Sequence, residues 1–121
     1  MKIGCDVVDV KRIEKILNSK IKNSFINKIL STTEIQHLKL NANSLAGYFA
    51  AKEAALKALG VGISPTCTFK DVLLSKDNLG QPLISFSNKT IKEFNIKNAS
   101  LSISHDAGIA MAVVLVEFNN V

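Results

Sequence analysis

Three charged residues stand where the surrounding sequence offers them no solvated surface. Asp6 lies inside the apolar run 3–8, and Glu53 and Lys57 lie in the stretch 45–59, where alanine and leucine dominate. Burying an unpaired carboxylate is costly, so each acid needs a cation, a metal or several hydrogen-bond donors. Two carboxylates are a ligand set typical of Mg²⁺, which keeps several waters and completes its shell with phosphate oxygens. The pattern therefore predicts a magnesium site at Asp6 and Glu53.

Each of these residues also has a simpler interpretation. Asp6 could act as a structural cap for the helix that follows it. Glu53 and Lys57 are four residues apart, so on a helix they project within about 40° of each other and could form an ordinary ion pair. Lys52, on the same stretch, either reaches water along its own methylene groups or contacts a ligand. These alternatives stay open at the level of sequence.

Two weaker features accompany these charges. Gly60 and Gly62 either close the preceding helix in the left-handed conformation or let the backbone approach phosphate groups closely. His105 ends a predicted strand and is either a structural histidine or part of a site. Cys5 and Cys67 lie in apolar runs without metal-ligand spacing, so we interpret them as structural, with no disulfide framework or zinc site.

The first half of the chain must position Asp6 and Glu53 through helices. A strand is predicted over 2–8, and Asp9 can cap a helix after it. Ser31 and Glu34 have the spacing of a capping box, which predicts a helix start. The remaining predicted helices cover 21–30 and 45–59, the latter preceded by a polar loop at 41–44 and closed by Gly60.

The second half of the chain has mainly strand patterns. Strands are predicted over 67–75 and 83–87 with a turn between them, and further strands over 100–104 and 109–116. A short helix over 88–95, capped by Ser87, separates the two pairs. We therefore expect one α+β domain over residues 1–121, with helices largely in the N-terminal half packed on an antiparallel sheet.

The composition narrows the class of partner. The net charge of +5 comes from fourteen scattered lysines and a single arginine, Arg12. Nucleic-acid readers usually cluster arginines and interleave aromatic residues, so this pattern favours plain solubility or attraction of an acidic partner over nucleic acid. No apolar stretch reaches the roughly 18–20 residues that span a bilayer, and the start lacks the apolar core of a signal peptide. We expect a cytoplasmic protein that does not use a membrane.

Two motifs contain most of the residues discussed above. IGCDVVDVKRIEK at 3–15 has Gly-x-Asp followed by Arg-Ile, and FAAKEAALKALGVGI at 49–63 has Phe-x-x-Lys-Glu-Ala-x-x-Lys-Ala. In both, the chain resembles the holo-acyl-carrier-protein synthases, the short type of 4′-phosphopantetheinyl transferase. Weaker correspondences at 25–34, 80–82 and 102–106 extend the resemblance almost from end to end.

The resemblance implies a reaction of fatty acid biosynthesis. The phosphopantetheine arm of coenzyme A moves onto a serine of apo acyl carrier protein, and adenosine 3′,5′-bisphosphate leaves. It also implies Mg²⁺ at Asp6 and Glu53. Lys57 is then well placed to meet the phosphates and the leaving group, and Glu53 can accept the serine proton directly or through water.

The resemblance also implies binding roles and an assembly. Arg12 matches a position associated with docking the acidic carrier protein, Pro82 one near the adenine, and His105 one near the 3′-phosphate. Short members of the family are homotrimers with active sites between neighbouring protomers. The full set of residues that we expect to contact coenzyme A is Lys52, Lys57, Gly60, Gly62, Pro82 and His105.

Two departures and two rival functions complete the expectations. Tyr48 stands where relatives often have arginine, which removes a phosphate-binding charge. Asp106 stands where threonine or serine commonly follows the histidine, and its carboxylate would repel a 3′-phosphate unless His105 is protonated or a lysine lies nearby. The main rival is a non-catalytic basic module that binds an acidic protein or RNA, with salt-sensitive binding that ignores Mg²⁺ and coenzyme A. A second rival is a Mg²⁺-dependent phosphohydrolase that uses the same carboxylates.

Overall fold

A long, mostly buried helix lies against an antiparallel sheet, and the other elements surround this pair. The computed structural model describes residues 1–61 and 67–120. The expected α+β class, with helices first and antiparallel strands later, is confirmed. The elements are β1 (Lys2–Asp9), α1 (Val10–Leu17), α2 (Lys22–Ile29), α3 (Thr32–His37), α4 (Ala42–Ala58), a 3₁₀ turn (Phe69–Asp71), β2 (Val72–Lys76), β3 (Pro82–Phe86), α5 (Asn88–Phe94), β4 (Ile96–Asp106) and β5 (Ile109–Phe118).

The strands form two antiparallel sheets. The larger sheet has the order β1-β5-β4, with Asp6 opposite Ala112 and His105 opposite Ala110. The smaller sheet is the β2-β3 hairpin, in which Lys76 pairs with Pro82. Asp6 and His105 therefore lie on the two edge strands of the larger sheet, with β5 between them.

The helix α4 is buried on almost every side because its residues are small or apolar. Twelve of its 17 residues are buried, which agrees with a sequence that leaves no polar face. Gly4 on β1 approaches this helix so closely that only a glycine fits there. This contact places Asp6, two residues further along β1 on the same face, beside the last two turns of α4.

Local capping signals are reproduced in the structure. The Asp9 carboxylate accepts a hydrogen bond from the Lys11 amide at 3.0 Å, and Ser31 and Glu34 form the expected capping box. The Ser87 side chain caps α5, and Gly60 follows α4 with φ of 78°, as a left-handed helix end requires. These four helix ends follow from short-range sequence alone.

Three boundaries differ from the prediction. The helix α4 begins at Ala42 because the Asn41 side chain accepts from the Ser44 amide at 2.8 Å. Residues 69–71 form a 3₁₀ segment, and β2 begins at Val72, five residues after the predicted start of the strand. β4 begins at Ile96, four residues before the predicted start. Over residues 1–61 and 67–120, no helix is both long enough and apolar enough to cross a bilayer.

Candidate active site

Asp6, Glu53 and Lys57 come together where β1 passes the C-terminal half of α4. The Lys57 ammonium donates to Asp6 Oδ1 at 2.8 Å and to the carbonyl oxygen of Cys5 at 3.2 Å. Among the residues that the structure describes, Lys57 forms its ion pair with Asp6 and forms none with Glu53. The interpretation of Glu53 and Lys57 as an ordinary i, i+4 pair is therefore wrong, because β1 supplies the nearer acid.

Burial and neighbouring charges shift the pKa values of Glu53 and Lys57 for different reasons. Desolvation raises the pKa of Glu53, and repulsion by the Asp6 carboxylate raises it further, while Arg12 and Lys57 only partly oppose both effects. The hydrogen bond and charge of Asp6 raise the pKa of Lys57, whose side chain is 57% exposed. Lys57 thus stays positively charged at neutral pH, whereas Glu53 ionises at a higher pH than an ordinary glutamate.

The pair of carboxylates fits a magnesium ion better than a zinc ion. In the part of the chain that the structure describes, no cluster of three or more His, Cys, Asp or Glu residues has the arrangement of a metal site. Zinc usually takes three or four protein ligands, whereas Mg²⁺ takes one or two carboxylates and fills its shell with water and phosphate. The repulsion that raises the pKa of Glu53 is the condition that a divalent cation would relieve.

A cavity of about 460 Å³ opens beside Glu53 and Lys57, and Asp6 contacts Lys57 without lining this cavity. Its floor is apolar, with Phe25, Phe49 and Phe69 among the residues that line it. The Arg12 guanidinium lies 5.7 Å from the centroid of the Phe49 ring, and Arg12 lines this cavity together with Glu53 and Lys57. Arg12 therefore shares one cavity with the catalytic candidates, an association that sequence spacing alone did not show.

Lys52 occupies a different environment from the one expected. Its side chain is 0% exposed, and Nζ donates to Glu34 Oε1 at 2.6 Å, to the carbonyl oxygen of Ile29 at 2.8 Å and to that of Phe69 at 3.0 Å. Three acceptors use all three ammonium protons. The expectation that Lys52 contacts coenzyme A is thus corrected, and so is the alternative that it reaches water, because no proton or surface of this side chain is left for either.

Glu34 completes this buried group, which sequence analysis recognised only as part of a capping box. Its Oε1 also accepts from the Ser31 amide at 2.8 Å, and its Oε2 accepts from the Leu74 amide at 2.8 Å. The pair Lys52–Glu34 therefore ties α4 to the end of α2, the start of α3, the 3₁₀ turn and β2. A lysine on a helix without a polar face signals that a buried acid exists, but spacing does not identify it.

Pro82 and His105 line a second cavity of about 190 Å³. The His105 ring lies against α4 at Gly47, where an added methyl group would be 3.1 Å from ring atoms Cε1 and Nε2. His105 Nε2 donates to the carbonyl oxygen of Asn43 at 2.8 Å, since a carbonyl oxygen only accepts. The structure thus groups these two expected residues, and it groups them apart from Asp6 and Glu53.

The remaining candidates are placed as follows. Gly60 is exposed at the end of α4, and a β-carbon added to it would lie 3.8 Å from Lys2 Nζ. Gly62 lies outside the described residues. Cys5 is exposed and Cys67 is buried, and neither forms a disulfide.

Comparison with known proteins gives matches over almost the whole chain. Residues 2–114 match the family model of the 4′-phosphopantetheinyl transferase superfamily. A holo-[acyl-carrier-protein] synthase of Campylobacter lari is 52% identical over 117 residues, which are 97% of this chain and 99% of that protein. The Helicobacter pylori holo-[acyl-carrier-protein] synthase, solved in complex with coenzyme A, is 46% identical with a TM-score of 0.90, over 95% of this chain and 99% of that one.

A more distant structure has the same fold. The holo-(acyl-carrier-protein) synthase of Bacillus anthracis, solved with CoA (3′,5′-ADP), is 34% identical with a TM-score of 0.79. The match covers 98% of this chain and 96% of that one. The likeness in sequence and in fold therefore spans both cavities and the three charged residues between β1 and α4.

Proposed function

The chain belongs to the 4′-phosphopantetheinyl transferase superfamily, and on that premise we propose that it moves the phosphopantetheine arm of coenzyme A onto a serine of apo acyl carrier protein. The observation that carries the proposal is the grouping of Asp6, Glu53 and Lys57 beside a cavity, inside the residues that match the family. The transfer belongs to fatty acid biosynthesis and takes place in the cytoplasm.

The proposed reaction exchanges one phosphorus–oxygen bond for another. The serine hydroxyl oxygen forms a bond to the phosphorus that carries the pantetheine. The bond from that phosphorus to the bridging oxygen of the diphosphate breaks, and adenosine 3′,5′-bisphosphate leaves with the bridging oxygen and its electron pair. The serine proton passes to a base. Negative charge develops on the leaving phosphate, so the protein must supply a proton acceptor and positive charge.

Glu53 and Lys57 suit these two requirements. Glu53 is the acid whose pKa burial and Asp6 raise, which brings a carboxylate closer to the basicity that a proton acceptor needs near neutral pH. The Lys57 ammonium is charged and half exposed, so it can contact a phosphate while it holds Asp6 in place. Gly60, three residues beyond Lys57 and seven beyond Glu53, leaves room for the backbone to approach the diphosphate.

Asp6 and Glu53 would hold the Mg²⁺ ion. Their two carboxylates match the preference of magnesium for few protein ligands, and Lys57 already balances part of the negative charge of Asp6. When bound, the ion supplies charge neutralisation at the diphosphate oxygens. In this proposal Lys57 contacts the diphosphate directly, and Asp6 and Glu53 would act on it through the ion that they hold.

Arg12 is the proposed contact for the acidic carrier protein. Arg12 and Lys28 both line the cavity next to Glu53, and the whole chain has a net charge of +5. Charge of this sign steers an acidic partner toward the cavity and fixes its orientation. Arg12→Ala should therefore raise KM for the carrier severalfold and leave KM for coenzyme A unchanged; an unchanged KM for the carrier would remove this role.

The positions of the two cavities favour a site shared between protomers. Gly47, at the second cavity, and Glu53 are six residues apart on α4, which separates them by about 9 Å along the axis and about 120° around it. One chain therefore presents the two groups of coenzyme A residues on different sides of the same helix. A coenzyme A molecule that contacts both groups is more easily held between neighbouring copies.

An exposed apolar surface supports the homotrimer that such sharing needs. The sheet face opposite α4 carries Ile3 and Val7 on β1 and Ile109, Met111 and Leu115 on β5, all exposed. We call these five residues the outer sheet face. A contiguous apolar surface of this kind marks an interaction site, and self-association of a symmetric assembly covers it without a second protein.

The experiment that tests the proposed function measures the mass of the acceptor. The protein is incubated with coenzyme A, Mg²⁺ and several apo carrier proteins, and mass spectrometry should detect the added phosphopantetheine on a serine. A reaction without the carrier is the control. Nucleotide release without acceptor would favour the phosphohydrolase, and salt-sensitive carrier binding without mass addition would favour the non-catalytic module.

A further inference from the structure

The second cavity has the chemistry of a site for a phosphate monoester. Lys76, His105 and the hydroxyl group of Ser44 line it, together with the backbone turn at Gly80 and the ring of Pro82. None of its lining residues in the described chain carries a carboxylate. A pocket that combines two side chains able to carry positive charge with hydroxyl and backbone groups, and that lacks acids, favours an anion.

Lys76 is directed into this cavity by the alternation of β2. Val72 and Leu74 are the buried positions of that strand, so Lys76 is the next residue on the same face. It pairs across the hairpin with Pro82, which also lines the cavity. In the described ranges, no carboxylate lies within ion-pair distance of Lys76, so its charge is available to a ligand.

The two acids that adjoin Lys76 and His105 in the sequence do not face the cavity as free carboxylates. Asp77 Oδ1 accepts from the amides of Leu79 at 2.8 Å and Gln81 at 2.9 Å, which commits it to the hairpin turn. Asp106 follows His105 on β4, and successive strand residues point to opposite faces, so its carboxylate lies on the side away from the cavity. The negative charge that adjoins His105 in sequence thus does not oppose an anion there.

His105 alone gives incomplete binding. Its Nε2 proton is used by the Asn43 carbonyl oxygen, so only Nδ1 faces a ligand, and Nδ1 donates only when the imidazole is protonated. A neutral His105 would present a lone pair to a phosphate. Lys76 is the lining residue that supplies a permanent positive charge at neutral pH.

We propose that Lys76 binds the 3′-phosphate of coenzyme A and makes the protein select coenzyme A over its 3′-dephospho form. This inference rests on the proposed function, because coenzyme A carries a diphosphate, assigned above to Lys57 and the carboxylates, and one further phosphate, the 3′ monoester. The second cationic cavity is the place in the described chain that remains for that monoester. Lys76 also supplies the charge that Tyr48, in the same cavity, does not.

The test compares two substrates in three variants. In Lys76→Gln we expect KM for coenzyme A to rise about tenfold or more, the size of one charged hydrogen bond, with kcat unchanged. KM for 3′-dephospho-coenzyme A should stay at its wild-type value, because that substrate lacks the group that Lys76 contacts. Lys76→Arg should restore most of the affinity, and Lys92→Gln, which removes an equal charge on α5, should change neither KM.

Two results would overturn the proposal. An equal rise of both KM values in Lys76→Gln would mean that the lysine acts on the rest of the molecule or on folding, and no rise of either would mean that it does not contact substrate. If the wild-type protein transfers nothing, the proposed function fails separately. In that case the role of Lys76 is decided by calorimetry, with adenosine 3′,5′-bisphosphate and adenosine 5′-monophosphate as ligands. The proposal requires that Lys76→Gln weakens binding of the bisphosphate and leaves binding of the monophosphate unchanged.

Discussion

Gly4 lies so close to Ala54 that a β-carbon at position 4 would be 1.9 Å from the Ala54 carbonyl oxygen and 2.7 Å from the amide nitrogen of Ala58. Both contacts are with backbone atoms, which cannot rotate away. The absence of a side chain therefore sets the distance between β1 and α4. That distance is what allows the Asp6 carboxylate to reach the Lys57 ammonium.

The first prediction concerns this close approach. Gly4→Ala should lower the free energy of unfolding by about 2–4 kcal/mol, because strand and helix must separate to admit the methyl group. Chemical denaturation measures the loss. Gly108→Asn is the control. Gly108 has φ of 76°, a conformation that asparagine tolerates, and a β-carbon added there would have no atom within 4 Å. Equal stability of Gly4→Ala and wild type would refute the close contact.

The second prediction concerns Glu53 as a ligand. Glu53→Gln should lower kcat by two orders of magnitude or more, on the order of the loss seen for a catalytic base or metal ligand. Mg²⁺ should raise the melting temperature of the wild-type protein and leave that of the variant unchanged. Glu93→Gln on α5 serves as the control for a lost surface charge. A variant that keeps full activity and its response to Mg²⁺ would exclude the proposed role.

The third prediction uses the raised pKa of Glu53. A carboxyl group whose folded-state pKa is raised stabilises the fold fully below its unfolded pKa, about 4.3, and this contribution is lost as the pH rises through the folded value. Glu53→Gln removes the penalty at neutral pH, so its melting temperature at pH 7.5 should exceed that of wild type. The difference should vanish near pH 4. A lower melting temperature at pH 7.5 would contradict the sign.

The fourth prediction separates charge at the site from charge at the surface. Lys57→Ala should reduce kcat by about 10²–10³, the range for removing one donor that stabilises developing charge. Its stability should change little, because the side chain is 57% exposed. Lys89→Ala is a matched control, with 58% exposure and an acid, Asp71, at 3.6 Å. If both variants lose the same activity, Lys57 has no special role.

The fifth prediction concerns the outer sheet face. Met111→Asp places a charge at the centre of this face and should convert the proposed trimer into monomers, detected by sedimentation velocity. Ile21→Asp, at another exposed apolar residue between α1 and α2, should leave the assembly intact. Activity should fall together with the trimer. A wild-type protein that is monomeric and active at the assay concentration would refute a shared site.

Sequence predicted best the features that neighbouring residues decide. The capping box of Ser31 and Glu34, the Asp9 cap and the left-handed Gly60 each depend on a few adjacent positions. The α+β class followed from hydrophobic spacing because the period of the pattern changes along the chain. The same reasoning marked Asp6 and Glu53 as charges without a solvated face.

Features that depend on distant residues were not predictable. The pattern of 67–75 predicts one strand, yet the Asp71 carboxylate accepts from the Thr68 amide at 2.8 Å and from Ser87 Oγ, 16 residues further along, at 2.8 Å. These contacts hold the 3₁₀ segment that replaces part of the predicted strand. The partner of Lys52 is Glu34, 18 residues earlier, and only the packed fold brings them together. The pairing of Lys57 with Asp6, 51 residues away, depends on β1 in the same manner.

The strand β1 turns alternate side chains to opposite sides: Gly4 and Asp6 toward α4, and Ile3 and Val7 toward the outer sheet face. A small molecule that bound to that face would displace Asp6, because Asp6 lies on the same strand as Ile3 and Val7. It would then inhibit without competing with either substrate. If the outer sheet face is covered in the trimer proposed above, the potency would weaken as the enzyme concentration rises, because a higher concentration of chains favours reassembly. This dependence would distinguish such an inhibitor from one that occupies a cavity.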